Sequence, residues 1–118
     1  MLNLRQVFLS KQDDIYDVLK EIARAKDIIT YIELAHRVGL PTPSAIGDAF
    51  PGFIGEVRGE ISANEVGKGR PMISAIVVNK DTGMPGQGFY NLARNLGRYR
   101  GNDEQTWVDE VKAVYKFW

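Results

Sequence analysis

The residues best suited to bind a ligand surround a glycine-rich turn in the second half of the chain. Gly83, Pro85, Gly86 and Gly88 follow an apolar segment and precede a predicted helix. A helix that begins at such a turn points its first N–H groups at any anion in front of it. Four polar or basic residues lie close by in sequence: Asn79, Lys80, Gln87 and Arg94. The pattern predicts either a phosphate site or a tight turn whose glycines take positive φ values.

A second basic group lies in the predicted loop from Gly67 to Pro71, which contains Lys68 and Arg70. If this loop approaches the Arg94–Arg100 stretch, the two form a basic patch that would contact DNA or phosphate; otherwise these residues are ordinary solvated surface. The formal net charge is zero, from 15 basic and 15 acidic residues, which argues against strong non-specific DNA affinity.

Carboxylates offer a different chemistry. Glu56 and Glu60 are four residues apart and share a face if helical. Together with Glu65, Asp81 and Ser74 they could build the site of a small metal-dependent hydrolase. No base partner singles them out, so we predict no catalytic residue, no metal and no cofactor. The chain has no cysteine and one histidine, which excludes thiol-dependent catalysis and a histidine-rich metal site.

These residues need elements to position them. Apolar spacing predicts a helix over 12–26. A short strand over 27–30 should lead into a helix that Thr30 and Glu33 cap as a capping box. Ile32, Leu34 and Ala35 should face inward, and Gly39 should end the helix. Thr42 and Pro43 should open a further helix that Pro51 ends. Residues 30–50 thus predict a helix-turn-helix unit.

The remaining sequence predicts three helices and one buried strand. Apolar spacing favours a helix over 53–66 despite its glycines, and Met72 to Asn79 reads as a central strand. A helix over 89–96 should end at Gly97. The last helix should dock through a stripe of Trp107, Val111, Val114 and Trp118. The predicted fold is a single α+β domain over 1–118, mostly helical, with one central strand.

No apolar run approaches the roughly 20 residues that a membrane helix needs. The segment from Met1 to Ser10 lacks the features of a signal peptide. We therefore expect no membrane partner and a cytoplasmic location.

The middle of the chain resembles a known family. Residues 15–50 resemble the winged-helix DNA-binding half of the alkylguanine-DNA alkyltransferases and alkyltransferase-like proteins. The matching segments are Thr30-Tyr31, Leu34-Ala35, Gly39-Leu40-Pro41 and Ser44-Ala45-Ile46-Gly47. Residues 73–78 stand where the family has Pro-Cys-His-Arg-Val-Val. From this strand onward the chain also resembles small bacterial or phage proteins with no assigned activity.

The departures from the family pattern concern its chemistry. Ser44 replaces the arginine finger, Ser74 the acceptor cysteine and Ala75 the activating histidine. The resemblance implies a winged-helix-like middle, DNA contact through Tyr31 and Ser44, and a tyrosine that helps to turn a nucleotide out of the duplex. The expected function is non-enzymatic nucleic-acid binding or regulation. The alternative partner is a protein, in a defence or counter-defence system.

The first prediction concerns alkyl transfer. Because a serine stands at the acceptor position and an alanine at the activating position, we expect no transfer of a labelled methyl group from alkylated guanine to this chain. The measurement is protein-bound label after incubation with methylated duplex DNA. Stoichiometric labelling would show that the departures do not remove the activity.

Overall fold

Two short parallel strands lie among seven helices in the computed structural model, which describes residues 3–118. In chain order the elements are α1 (Leu4–Leu9), α2 (Gln12–Arg24), β1 (Ile29–Thr30), α3 (Tyr31–Arg37), α4 (Pro43–Ile46), a 3-10 turn (Gly47–Ala49), α5 (Phe50–Gly67), a second 3-10 turn (Ile73–Ile76), β2 (Val77–Val78), α6 (Gln87–Asn95) and α7 (Asp103–Phe117). Ile29 pairs with Val77 and Thr30 with Val78. Helices α3, α4 and α5 therefore lie on the crossover between the strands.

Helix α5 is the element around which the others pack. Its buried residues recur at helical spacing on one face: Phe50, Ile54, Val57, Arg58, Ile61, Ser62 and Glu65. The helix packs on α1, α2, α6 and the second 3-10 turn. Within residues 3–118, no helix is both long and apolar enough to cross a membrane.

Local sequence signals predicted several boundaries correctly. Thr30 Oγ1 accepts a hydrogen bond from the Glu33 amide at 3.2 Å, as expected at the start of α3, but the Glu33 side chain does not return a bond to the Thr30 amide to complete the capping box. Gly39 and Gly97 take φ values of +76° and +73° just after α3 and α6, the conformation that glycine adopts without a Cβ penalty. The predicted apolar stripe of α2 is buried at Ile15, Leu19 and Ala23. These signals depend on neighbouring residues alone.

Three predictions about the middle of the chain are wrong. Residues 72–79 are not one strand, because Ile73–Ile76 forms a 3-10 turn and only Val77–Val78 is extended. Pro51 does not end a helix. It lies in the first turn of α5, where proline needs no N–H partner. Ile32 does not face inward, since it is 42% exposed, whereas Leu34 and Ala35 are buried as predicted.

Helix α7 docks on the core as the tryptophan stripe predicts. Val114 is fully buried, whereas Trp107, Val111 and Trp118 are half-buried. The indole Nε1 of Trp107 donates a hydrogen bond to the carbonyl of Ala75 at 2.8 Å. The helix therefore holds the second 3-10 turn by both packing and hydrogen bonding.

This docking generates a stability prediction. We expect Trp107→Ala to lower the free energy of unfolding by about 3 kcal/mol, because it removes a large ring and leaves the Ala75 carbonyl without its donor. Trp107→Phe should cost about 1 kcal/mol, the net value of the hydrogen bond. Urea unfolding measures both, with the exposed Lys112→Ala as the control. An unchanged midpoint in Trp107→Ala would instead mark this helix as a free partner surface.

Candidate functional site

A cavity of about 960 Å³ lies between α3, α5 and α6 and opens to solvent. Its apolar lining consists of Ile32, Pro43, Phe50, Pro51, Ile54 and Leu92. Its polar lining includes Arg58, Asn79, Lys80, Gln87 and Asn91. Its size is typical of small-molecule and cofactor sites, which combine apolar walls with a few placed polar groups.

Arg58 is the most unusual residue of this wall. Only 7% of its surface is exposed, and its Nε has no hydrogen-bond partner. Among residues 3–118, no carboxylate lies within ion-pairing distance of its guanidinium. Burial lowers the pKa of Arg58, yet arginine keeps its proton in proteins. The cavity wall therefore holds a positive charge without a counter-charge.

The contact that Arg58 does make is with Tyr31. The guanidinium carbon lies 5.1 Å from the centroid of the Tyr31 ring, within range of a cation–π interaction. The Tyr31 hydroxyl in turn accepts a hydrogen bond from the Gly86 amide at 3.0 Å. Tyr31 thus connects the start of α3 with the start of α6 and orients Arg58 between them. A cation–π contact offsets only part of the cost of burying a charge, which is on the order of several kcal/mol.

Helix α6 directs its N-terminus at the same place. Gly86, Gln87 and Gly88 line the cavity, no side chain caps this end, and no acidic residue lies in its first turn. The first amides of a helix have no partner within it and carry a partial positive charge. Arg58 and the start of α6 therefore make the same part of the cavity electropositive.

The glycines at this site serve two purposes that the sequence alone did not separate. Within residues 83–88, only Gly83 takes a positive φ, at +71°, as the tight-turn alternative predicted. Gly88 has ordinary backbone geometry, but a Cβ there would lie 3.2 Å from Nη2 of Arg58. A Cβ at Gly55 of α5 would lie 3.6 Å from the same atom. Gly88 and Gly55 therefore leave room for the guanidinium.

Of the predicted site residues, the cavity brings together Tyr31 and Lys80. Ser44 is exposed on α4, with its Oγ 3.0 Å from Oγ1 of Thr42, and does not line the cavity. Lys68 is exposed at the end of α5. The Arg94 guanidinium packs on the Tyr99 ring at 4.1 Å and lies 3.8 Å from Asp103.

Arg70, from the basic loop predicted over 67–71, is paired with other residues within the fold. Its Nη1 donates to the Tyr16 hydroxyl at 3.2 Å and lies 3.4 Å from the buried carboxylate of Glu65. The guanidinium also packs over the rings of Phe117 and Trp118. Arg70 thus connects α7 with α5. Its charge is largely neutralised by the Glu65 carboxylate.

The carboxylates considered for catalysis do not converge. Glu56 pairs with Arg5 at 2.6 Å, and Glu65 is buried with its Oε1 2.7 Å from the Tyr16 hydroxyl. Ser74 is buried and accepts a hydrogen bond from Ser62 Oγ at 2.6 Å. Within residues 3–118, no three Asp, Glu or His side chains are grouped so that they could hold a metal ion.

Arg58 was missed at the sequence level although a signal was present. It lies in the inward stripe of α5, four residues after Ile54 and three before Ile61, where a charged residue breaks the apolar pattern. An arginine at such a position is almost never fully buried unless it is paired. Its presence there could have marked α5 as a site helix.

Comparison with known proteins adds nothing to this description: no protein-family model, no curated protein and no solved structure matches the chain.

The unpaired charge generates a second stability prediction. In buffer of low ionic strength without phosphate or sulfate, we expect Arg58→Met to raise the free energy of unfolding by about 1 kcal/mol or more, because it removes a desolvated charge and keeps an unbranched apolar stem. The melting temperature should rise by about 4 °C. Arg37→Met removes an arginine from an exposed pair with Glu21 and should change stability by less than about 1 kcal/mol. A clear loss of stability in Arg58→Met would make Arg58 a structural residue.

Proposed function

We propose that this chain is a non-enzymatic nucleic-acid-binding protein in which α3 and α4 form the helix-turn-helix part of a winged-helix-like domain. The observation that carries the proposal is the cavity beside α3. It combines an apolar wall, an aromatic residue at the start of α3, and an uncompensated cation that faces an uncapped helix N-terminus. An apolar wall suits a base and the positive end suits a phosphate, which together describe a nucleotide.

The resemblance to the alkyltransferase family supports the same assignment at Tyr31. In that family the matching tyrosine helps to turn a nucleotide out of the duplex, and an extrahelical nucleotide needs a pocket to enter. Here the Tyr31 side chain lines a cavity of suitable size. Its hydroxyl is held by the Gly86 amide, so we assign it the role of a fixed wall.

The exposed face of α4 contributes little attraction for DNA. Residues 42–50 carry the carboxylate of Asp48 and no basic side chain, so the bidentate arginine contact typical of base recognition is missing. Arg70 and Arg98 are paired with the buried carboxylates of Glu65 and Glu110. Lys80, at the cavity, forms no ion pair with any residue of 3–118 and is the basic side chain best placed for a DNA phosphate. Affinity should accordingly be modest and salt-dependent.

A protein partner is the second candidate, and one observation favours it. Ile32 is 42% exposed and lines the cavity next to Pro43 and Pro51. An apolar side chain of another protein could enter there in place of a base. Such binding would depend little on salt, which separates it from the DNA proposal.

We expect the wild type to bind a fluorescent duplex or single-stranded oligonucleotide at about 50 mM salt and to weaken steeply as salt rises. Lys80→Ala should lower affinity for every sequence and reduce the slope of log affinity against log salt by about one unit, the value for one phosphate contact. Ser44→Ala should bind as the wild type does.

The control for Lys80 is Lys112→Ala, which removes an equal charge from the exposed face of α7. If Lys112→Ala weakens binding as much as Lys80→Ala, the effect is one of net charge and the cavity is not the site. If the wild type binds no nucleic acid at about 50 mM salt, where phosphate contacts are strongest, the proposal fails and the protein-partner candidate replaces it.

A further inference from the structure

The electropositive part of the cavity is built by groups from two helices that are distant in sequence. Arg58 comes from α5 and is more than nine-tenths buried, with its Nε unpartnered. The amides of Gln87 and Gly88 come from the first turn of α6, which no side chain caps. The two groups lie side by side, since a Cβ at Gly88 would be 3.2 Å from Nη2 of Arg58.

No acidic side chain neutralises this arrangement within the described residues. Glu56 lines the cavity, but it is hydrogen-bonded to Arg5 through both carboxylate oxygens. Asp81 is exposed at the cavity wall. Neither carboxylate forms an ion pair with Arg58. A buried cation without an internal anion is a natural partner for an anion from outside.

We infer that this part of the cavity is a binding site for a terminal phosphate group, held by Arg58 and by the first amides of α6. A guanidinium presents several N–H donors in a fixed plane that matches the oxygens of a phosphate. Helix N-terminal amides add further donors together with a favourable dipole. Neither set of donors is satisfied by another residue of 3–118, so the ligand completes the site.

The geometry favours a phosphate at the end of a ligand over one within a continuous strand. The guanidinium is flanked by the Tyr31 ring and by the positions of Gly55 and Gly88, and only 7% of the Arg58 surface is exposed. A phosphodiester within a strand is bonded to a nucleotide on each side, so two lengths of strand would have to leave this enclosed position. A phosphomonoester has a single connection, which can leave through the opening.

The apolar wall indicates what the phosphate is attached to. Pro51 is exposed at the cavity wall about two turns before Arg58. Phe50 and Ile54 also line the cavity, although nearly all of their surface is buried in the core. With a rise of 1.5 Å per residue, Phe50 lies about 12 Å along the helix axis from Arg58. A base and its sugar fit along this wall with the phosphate at the far end. The same phosphate could belong to a free mononucleotide or to the end of a DNA strand.

The first experiment does not depend on DNA binding. Inorganic phosphate, a nucleoside 5′-monophosphate and the matching nucleoside are titrated into labelled protein while amide resonances are followed by NMR. We expect the amides of Gln87 and Gly88 to shift with phosphate and with the monophosphate. Arg58→Met should weaken monophosphate binding about tenfold or more, the usual value of a hydrogen bond to a charged group. Arg37→Met should bind as the wild type does.

A glycine pair tests the geometry without removing the charge. Gly88→Ala places a methyl group against Nη2 of Arg58, whereas Gly52→Ala, also at the cavity wall, meets no atom within 4 Å. We expect Gly88→Ala to weaken monophosphate binding severalfold and Gly52→Ala to leave it unchanged. If the nucleoside binds as tightly as its monophosphate, or if Arg58→Met binds as the wild type does, the inference is wrong.

The second experiment identifies the source of the phosphate. Oligonucleotides with a 5′-phosphate, a 3′-phosphate or hydroxyls at both ends are compared with a circular single strand. Preference for a phosphorylated end, lost in Arg58→Met, assigns the site to DNA ends. Binding of the monophosphate without such a preference assigns it to free nucleotides. If the protein binds DNA but not the monophosphate, the inference is wrong and the proposed function is unaffected. If it binds the monophosphate but no DNA, the proposed function is wrong and the inference is unaffected.

Discussion

The structure depends on how α5 divides its surface between the core and the cavity. Ile54, Val57 and Ile61 are fully or almost fully buried and supply the apolar contacts that join α1, α2 and the second 3-10 turn. On the side that faces the cavity, Gly55 and Gly59 have no side chains that would fill it. Each glycine weakens the helix by about 1 kcal/mol relative to alanine. That cost is offset by burial on the core face, so the cavity wall can stay open without loss of the helix.

Two buried carboxylates, Glu65 and Glu110, pair with basic residues inside the fold. Glu110 is buried, accepts two hydrogen bonds from Arg98 and one from the Met72 amide. Glu65 has the same role for Tyr16 and Arg70. Removing one partner of such a pair leaves an uncompensated buried charge, which is strongly destabilising. Although the net charge is zero, the charges are unevenly distributed: several basic residues are neutralised by carboxylates, whereas Arg58 is not.

The sequence predicted the parts of the fold that depend on neighbouring residues. Thr30, Gly39 and Gly97 marked helix ends because a cap or a positive φ is a local requirement. The segment from Met72 to Asn79 was predicted to be a buried strand. Met72 to Val78 is buried and Asn79 is exposed, but burial on all sides does not distinguish a strand from a 3-10 turn. Pro51 was assigned to the wrong end of a helix, because proline is compatible with either side of a boundary. The cavity could not be predicted, since it depends on how α3, α5 and α6 pack.

The parallel pairing of Ile29 with Val77 has a consequence for the order of folding. Both strands are only two residues long, so they offer little stability until the whole crossover between them is in place. Closing so long a loop is entropically costly and raises the contact order of the chain, which slows folding. Two walls of the cavity, α3 and α5, lie inside this loop, whereas α6 follows it. We therefore expect the cavity to be incomplete in a partly folded chain that lacks this pairing, so a ligand of the cavity would stabilise only the completed fold.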